Sequence, residues 1–225
     1  MKSGTKYFVW ISAVLILVNM YLIFVVSPPD MNLGEVQRIF YLNVPMAILS
    51  FLLFFIVAGL SVWYLIKKDP KIDNLSNAFA EVGLLCVVLA LVTGSIWGRP
   101  VWGVWWTWEP RLTTTLILGM IYVAYVMARA YTENQQKSAK VASVLGIIGG
   151  INVPIVYYSV KLRSIHPEGT VWDLPSSMLY VFLFSILAFS VLIFVLVRLR
   201  YHVLETESYL AKLELTSNQK TLENL

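Results

Sequence analysis

The stretch "WGRPVWGVWWTWEPRLT", Trp97 to Thr113, holds five of the chain's eight tryptophans within twelve residues. Ala78–Trp97 runs into it and Leu112–Ala130 runs out of it, each about 20 residues long and nearly free of charge. A membrane-spanning helix needs about 20 mostly apolar residues. The tryptophans therefore sit on a short connection between two spans, and that reading decides the class of the fold.

Working outward, the same pattern recurs at Tyr7–Val26, Met46–Ile66, Val141–Val160 and Ser177–Val197. The whole chain is 58% hydrophobic and 13% charged, with a mean hydropathy of +0.72. Its 225 residues carry too few polar side chains to cover a water-soluble globule. The expectation is an all-α integral membrane protein, a six-transmembrane-helix bundle with both termini on one side. Tyr7–Val26 follows Lys2 and Lys6, but it is too long for a signal-peptide core and ends in "SPPD" without a small-residue cleavage site. It is read as the first helix.

Orientation follows from Lys and Arg in the short connections. Lys2, Lys6, Lys67, Lys68, Lys71, Arg129, Lys137, Lys140, Arg198 and Arg200 fall on one side, against Arg38, Arg99, Arg111, Lys161 and Arg163 on the other. The first side is expected to be cytoplasmic, together with both termini. The tryptophan connection then lies on the outer face, beside Ser27–Leu42 and Lys161–Ser176. Residues 1–200 read as one membrane domain and 201–225 as a polar cytoplasmic tail.

The formal charge of +4 is largely this topological signal. Lysine clusters of two or three do not make a nucleic-acid surface, and no Walker or Rossmann glycine pattern is present. The single cysteine, Cys86, lies inside the third span, so the chain has neither an intramolecular disulfide nor a C-x-x-C-H haem attachment. Glu81, near the start of the same span, is given no functional role.

Indole favours the headgroup level at both membrane faces, which accounts for Trp10, Trp63 and Trp172. It does not account for Trp97, Trp102, Trp105, Trp106 and Trp108 crowding one connection, where Gly98, Pro100 and Gly103 are expected to end the helix and impose turns. Flat indoles offer large apolar area at low rotamer cost. Several on turns form a platform for a broad, planar, hydrophobic ligand; Arg99, Glu109 and Arg111 flank it as candidates for the pocket lining, and the two guanidinium groups suit an anionic edge.

The spacing W-G-x-x-x-W-G-x-W-W-x-W-[D/E]-x-R-L-T resembles the tryptophan-rich signature of the haem-handling proteins of cytochrome c biogenesis, and within them the haem exporter protein C family. "EVQRIFYLNVPMA" (Glu35–Ala47) is similar to the start of that family's second helix. "NVPIVYYSVKLRSIHPEGT" (Asn152–Thr170) is similar to its fifth helix and last outer loop. The resemblance spans about Glu35 to Val197.

The resemblance implies that haem b, bound noncovalently and in transit, is held at the outer face of a bacterial or archaeal cytoplasmic membrane and passed to a periplasmic haem chaperone. It also implies partners: the ABC transporter subunits of the cytochrome c maturation system and a small single-span subunit. Related proteins hold the haem over the tryptophans with one histidine from each flanking outer loop. His166 matches the second. The first should fall in "YLNVP", where this chain has Asn43, and the signature's usual Asp is Glu109 here.

Asn43 reads as a helix N-cap with Pro45 in the first turn, near the pocket. The second axial position is left to water, hydroxide, Met46 or a histidine of the chaperone; Met is a known haem ligand. His202 lies on the opposite side. Asn152 and Ser159, seven residues apart, share a helix face and are candidates for the pocket floor. Asn152 and Pro154 otherwise read as part of a kinked packing helix aided by Gly149 and Gly150. Two alternatives to haem delivery are a haem lyase attaching haem to apocytochrome, which needs more spans and histidines than the two here, and a structural subunit without haem.

Overall fold

The computed structural model describes residues 3–132, 134–159, 161 and 171–223. Six helices among them are long and apolar enough to cross a membrane: α1 (Ser3–Tyr21), α2 (Phe40–Lys67), α3 (Pro70–Trp102), α4 (Pro110–Tyr131), α5 (Gln135–Ser159) and α6 (Ser176–Glu223). No strand occurs among the described residues. A π-helical turn, Leu22–Val26, ends α1, and a 3₁₀ segment, Glu35–Ile39, leads directly into α2.

The order is up-and-down, with α2 as the hub. It packs against α3, α5 and α6, while α4 lies on α5 and α3, and α1 lies on α6. Between α2 and α3 the chain turns in two residues. Lys68 adopts a left-handed conformation (φ 55°), and the Asp69 carboxylate caps α3 by accepting from the Lys71 backbone N–H at 2.9 Å.

Lipid tails are as apolar as leucine, so helix association here rests on close packing and interhelical hydrogen bonds. α1 shows this plainly. It turns Tyr7, Trp10 and Leu17 outward and buries Thr5, Ser12 and Asn19, and Asn19 Oδ1 accepts from Ser185 Oγ on α6 at 2.8 Å. α5 approaches α2 along Gly146 and Gly150, where a Cβ would collide with Ser61 and Ala58. Gly149 makes room for the Tyr122 ring, which stacks on Phe54 at 3.6 Å between centroids. The glycines of α5 are thus points of contact rather than aids to a kink, and α5 runs unbroken through Pro154.

The apolar windows locate all six spans, but the helices overrun them. α3 begins eight residues before Ala78 because the polar groups of its first turns are paired. Arg129 makes a double hydrogen bond to Asp73, both at 2.7 Å. Glu81 accepts from Arg200 at 2.5 and 3.0 Å, so it is an ion-pair partner between α3 and α6 rather than a solvated carboxylate. Asn74 donates to Glu205 at 2.7 Å and Ser208 at 3.1 Å. These last bonds carry α6 past residue 201 as one continuous helix.

Candidate functional site

At the opposite end from this network, α3 and α4 are joined by residues 103–109. Gly98 and Pro100 do not end α3. One backbone bond forgone at Pro100 in the last turn leaves the helix intact through Trp102, and Gly103 stops it with φ 77°, its N–H bonded to the Arg99 carbonyl at 3.1 Å. Gly98 instead makes space, since a Cβ there would press on the Trp102 ring at 3.0 Å. With only hydrogen at that position, Trp102 folds back along the helix and meets Trp97 edge to face, 5.3 Å between centroids. The Arg99 guanidinium donates to the Gly103 carbonyl, closing the helix end while the side chain stays exposed.

The remaining indoles follow in the link itself, Trp105 in a bend and Trp106 and Trp108 in irregular chain. Trp106 and Trp108 meet edge to face at 5.9 Å. Trp106 is half-buried, with its Nε1 enclosed and without a hydrogen-bond partner, whereas Trp105 and Trp108 are 60% and 75% exposed. The five indoles thus divide into a packed set, Trp97, Trp102 and Trp106, and a displayed pair, Trp105 and Trp108.

α4 then starts with Glu109 at its N-cap position and Pro110 in its first turn. Glu109 is only 8% exposed, and the half-buried Arg111 follows two residues on, within the first turn of α4. Thr114 donates to the Pro110 carbonyl at 2.7 Å and to Ser159 Oγ at 3.4 Å. Ser159 is buried and donates to the Val156 carbonyl at 2.6 Å, tying the top of α5 to α4. Asn152, two turns deeper on the same face, is half-buried with its Oδ1 enclosed and unpaired.

Asn43 is not a helix cap. Because the 3₁₀ segment feeds α2 without a break, the helix starts at Phe40 with Ile39 as its cap, and Asn43 falls inside the first turn. Its Nδ2 crosses to α3, donating to the Ala90 carbonyl at 2.6 Å and Thr93 Oγ1 at 3.0 Å, against Gly94. Met46 is 4% exposed and packs in the core with Leu49, Val82 and Ala90. Buried in that core cluster, Met46 is not brought to the tryptophans. His166 lies outside the described residues.

The sequence pattern does not single out several residues at this end. Gln37 is buried on the 3₁₀ segment with neither amide atom paired, and the Thr107 and Thr113 hydroxyls are enclosed and unpaired. Tyr157 and Tyr158 sit edge to face at 5.2 Å, with the Lys161 ammonium 5.5 Å from the Tyr158 ring. The available signal is polar residues on faces that an interhelical seam must bury, and hydropathy averaging erases it.

Comparison with known proteins adds an independent finding. The family described as "Heme exporter protein C" matches residues 1–214. A protein named Heme exporter protein C from Bradyrhizobium diazoefficiens is 34% identical over 154 residues, 68% of this chain and 59% of its own length. Its Escherichia coli K12 namesake is 36% identical over 135 residues, 60% of this chain and 55% of its own. A ccmC-like mitochondrial protein of Marchantia polymorpha, named for cytochrome c biosynthesis, is 41% identical over 141 residues, 63% of this chain and 59% of its own. The chain thus spans less than two thirds of the length of these relatives.

Proposed function

The chain belongs to the Heme exporter protein C family, and from that premise we propose that it binds haem noncovalently at the tryptophan end of the bundle and delivers it to a haem chaperone during cytochrome c maturation. The lysine-rich end faces the cytoplasm of a bacterial cell and the tryptophan end faces outward, following the positive-inside rule. Residues 1–200 serve as the membrane unit and 201–225 as its cytoplasmic extension, with ATP-binding-cassette subunits and a small single-span subunit as neighbours. Delivery, rather than catalysis, is the role.

One observation carries this reading. Trp105 and Trp108 stand exposed on a seven-residue link whose two ends are fixed, one by the Trp97–Trp102 pair and the other by the buried Glu109 and Pro110 at the start of α4. A displayed pair on a fixed base suits a flat apolar cargo. Arg111, and Arg99 beyond its bond to Gly103, supply cations for carboxylate groups on the cargo's edge. His166 is the axial ligand. Asn43 and Met46, engaged within the bundle, are left out of the ligand set, and the opposite axial position takes water, hydroxide or a histidine of the chaperone. Asn152 and Ser159 lie beneath the link as the floor.

The visible spectrum of the protein after mild detergent extraction tests the proposal. A Soret band is expected, strongly reduced in His166→Ala with membrane insertion unchanged. Colourless protein from haem-replete cells would make the chain a structural subunit, and a His166→Ala spectrum identical to wild type would remove His166 from the site.

A further inference from the structure

The lysine-rich end carries three arginines, one in the last turn of α4 and two midway along α6, and two are fully engaged. Arg129 is held by Asp73, and Arg200 by Glu81 with Glu207 at 3.8 Å. Arg198 has no carboxylate among the described residues. Its one hydrogen bond there is a long one, Nε to Thr5 Oγ1 at 3.4 Å, and its side chain is exposed.

Arg198 also stands in the wall of a groove. Between α2 and α6, floored by Leu75 and Phe79 of α3, lies a cleft of about 400 Å³. Leu52 and Ile56 line one side, and Phe194 and Val197 the other, with Arg198 and Tyr201 at the lysine-rich end. Leu52 and Phe194 are exposed on the bundle's flank, so the cleft opens sideways into the bilayer. It has an apolar body and a cationic mouth.

We propose that this groove is a binding site for one anionic phospholipid, with an acyl chain along Leu52, Ile56 and Phe194 and the phosphate on the Arg198 guanidinium. Guanidinium presents paired donors that match a phosphate, and basic pockets between helices near the membrane surface select acidic headgroups. Asp73, Glu81 and Glu207 pair with Arg129 and Arg200, Glu205 accepts from Asn74 and Asp69 caps α3, so each of these carboxylates is engaged away from Arg198. The Tyr201 ring, at the same depth, suits the interface between chain and headgroup. The lipid would wedge α6 against α2 where the two helices part.

The full-length chain in mild detergent, titrated with palmitoyl-oleoyl phosphatidylglycerol or its phosphatidylcholine counterpart and read by native mass spectrometry, tests this independently of haem. One phosphatidylglycerol should be retained in preference to phosphatidylcholine. Arg198→Gln should weaken that retention about tenfold, Arg198→Lys should keep part of it, and Ile56→Trp, which fills the groove, should lose both lipids alike. Equal retention of the two lipids, or undiminished phosphatidylglycerol on Arg198→Gln, overturns the site. So does a Leu52→Cys chain that forms a disulfide with another protein in native membranes, because the groove would then hold a partner helix.

Discussion

At the lysine-rich end of the bundle, Arg129 lies across Asp73, Arg200 across Glu81, and Asn74 across Glu205 and Ser208. At the tryptophan end, Trp106 Nε1, the Thr107 and Thr113 hydroxyls, both amide atoms of Gln37 and, deeper, Asn152 Oδ1 are enclosed without partners. The first end uses its polar groups to hold α3, α4 and α6 together, although Asn77 Oδ1 and, on α2, Ser61 Oγ are left unpaired there. The second keeps polar atoms unpaired and displays two indoles. Buried polar groups are normally satisfied, and an end that departs from this gives up stability locally. Such departures are expected where a surface is shaped for something other than its own packing.

The most severe way to break this contrast is to remove one partner from the paired end. Asp73→Ala leaves Arg129 buried without its carboxylate, a loss of about 3 to 5 kcal/mol, and should sharply lower the thermal unfolding temperature in detergent. Replacing both members with apolar residues, Asp73→Leu with Arg129→Met, should recover most of it. Haem content per folded molecule should stay constant throughout. If Asp73→Ala instead emptied the protein of haem without changing its unfolding temperature, the division of labour between the ends would be wrong.

The complementary change acts on the displayed pair. Trp105→Ala with Trp108→Ala removes exposed rings that contribute little to packing, so unfolding should shift slightly while haem affinity falls on the order of 30-fold, at about 1 kcal/mol per ring. Trp97→Ala or Trp102→Ala should do the reverse, loosening the end of α3 first. Full haem occupancy in the Trp105/Trp108 double variant would reduce these rings to interfacial anchors.

Hydropathy and charge made the spans, their number and the lysine asymmetry legible, because a bilayer imposes length and composition on every segment that crosses it. The helix ends were not legible. Gly98 and Pro100 look like breakers, yet the helix runs on to Gly103 because Gly98 serves the Trp102 ring and only Gly103 takes positive φ. The tryptophan spacing marked this link as the candidate site, since five indoles there exceed what an interface needs. It could not say which rings are packed and which displayed, for that depends on how each folds back on its neighbours. Asn43 misled for a related reason. Asparagine before a proline and an apolar run has the composition of a cap, but the 3₁₀ segment Glu35–Ile39 had already started the helix.

That last point yields the smallest and most discriminating change. Asn43 bonds the Ala90 carbonyl and Thr93 Oγ1, about two turns and one turn below Trp97 on α3 at about 3.6 residues per turn. Asn43→His places an imidazole in the α2–α3 seam, against Gly94, where Nδ2 now lies 3.2 Å from the site of a Cβ. The ring must repack there, so a stability loss of about 1 kcal/mol is expected, in keeping with interhelical hydrogen bonds of modest net strength in membranes. Because the position faces the seam, the ferric haem spectrum should keep its spin state, and Thr93→Val should show a similar loss of stability with the same unchanged spectrum. A shift of Asn43→His toward low-spin, bis-histidine haem would mean that the start of α2 reaches the iron. The tryptophan end would then include the α2–α3 seam, and Asn43 would belong to the cargo site rather than to the packing beneath it.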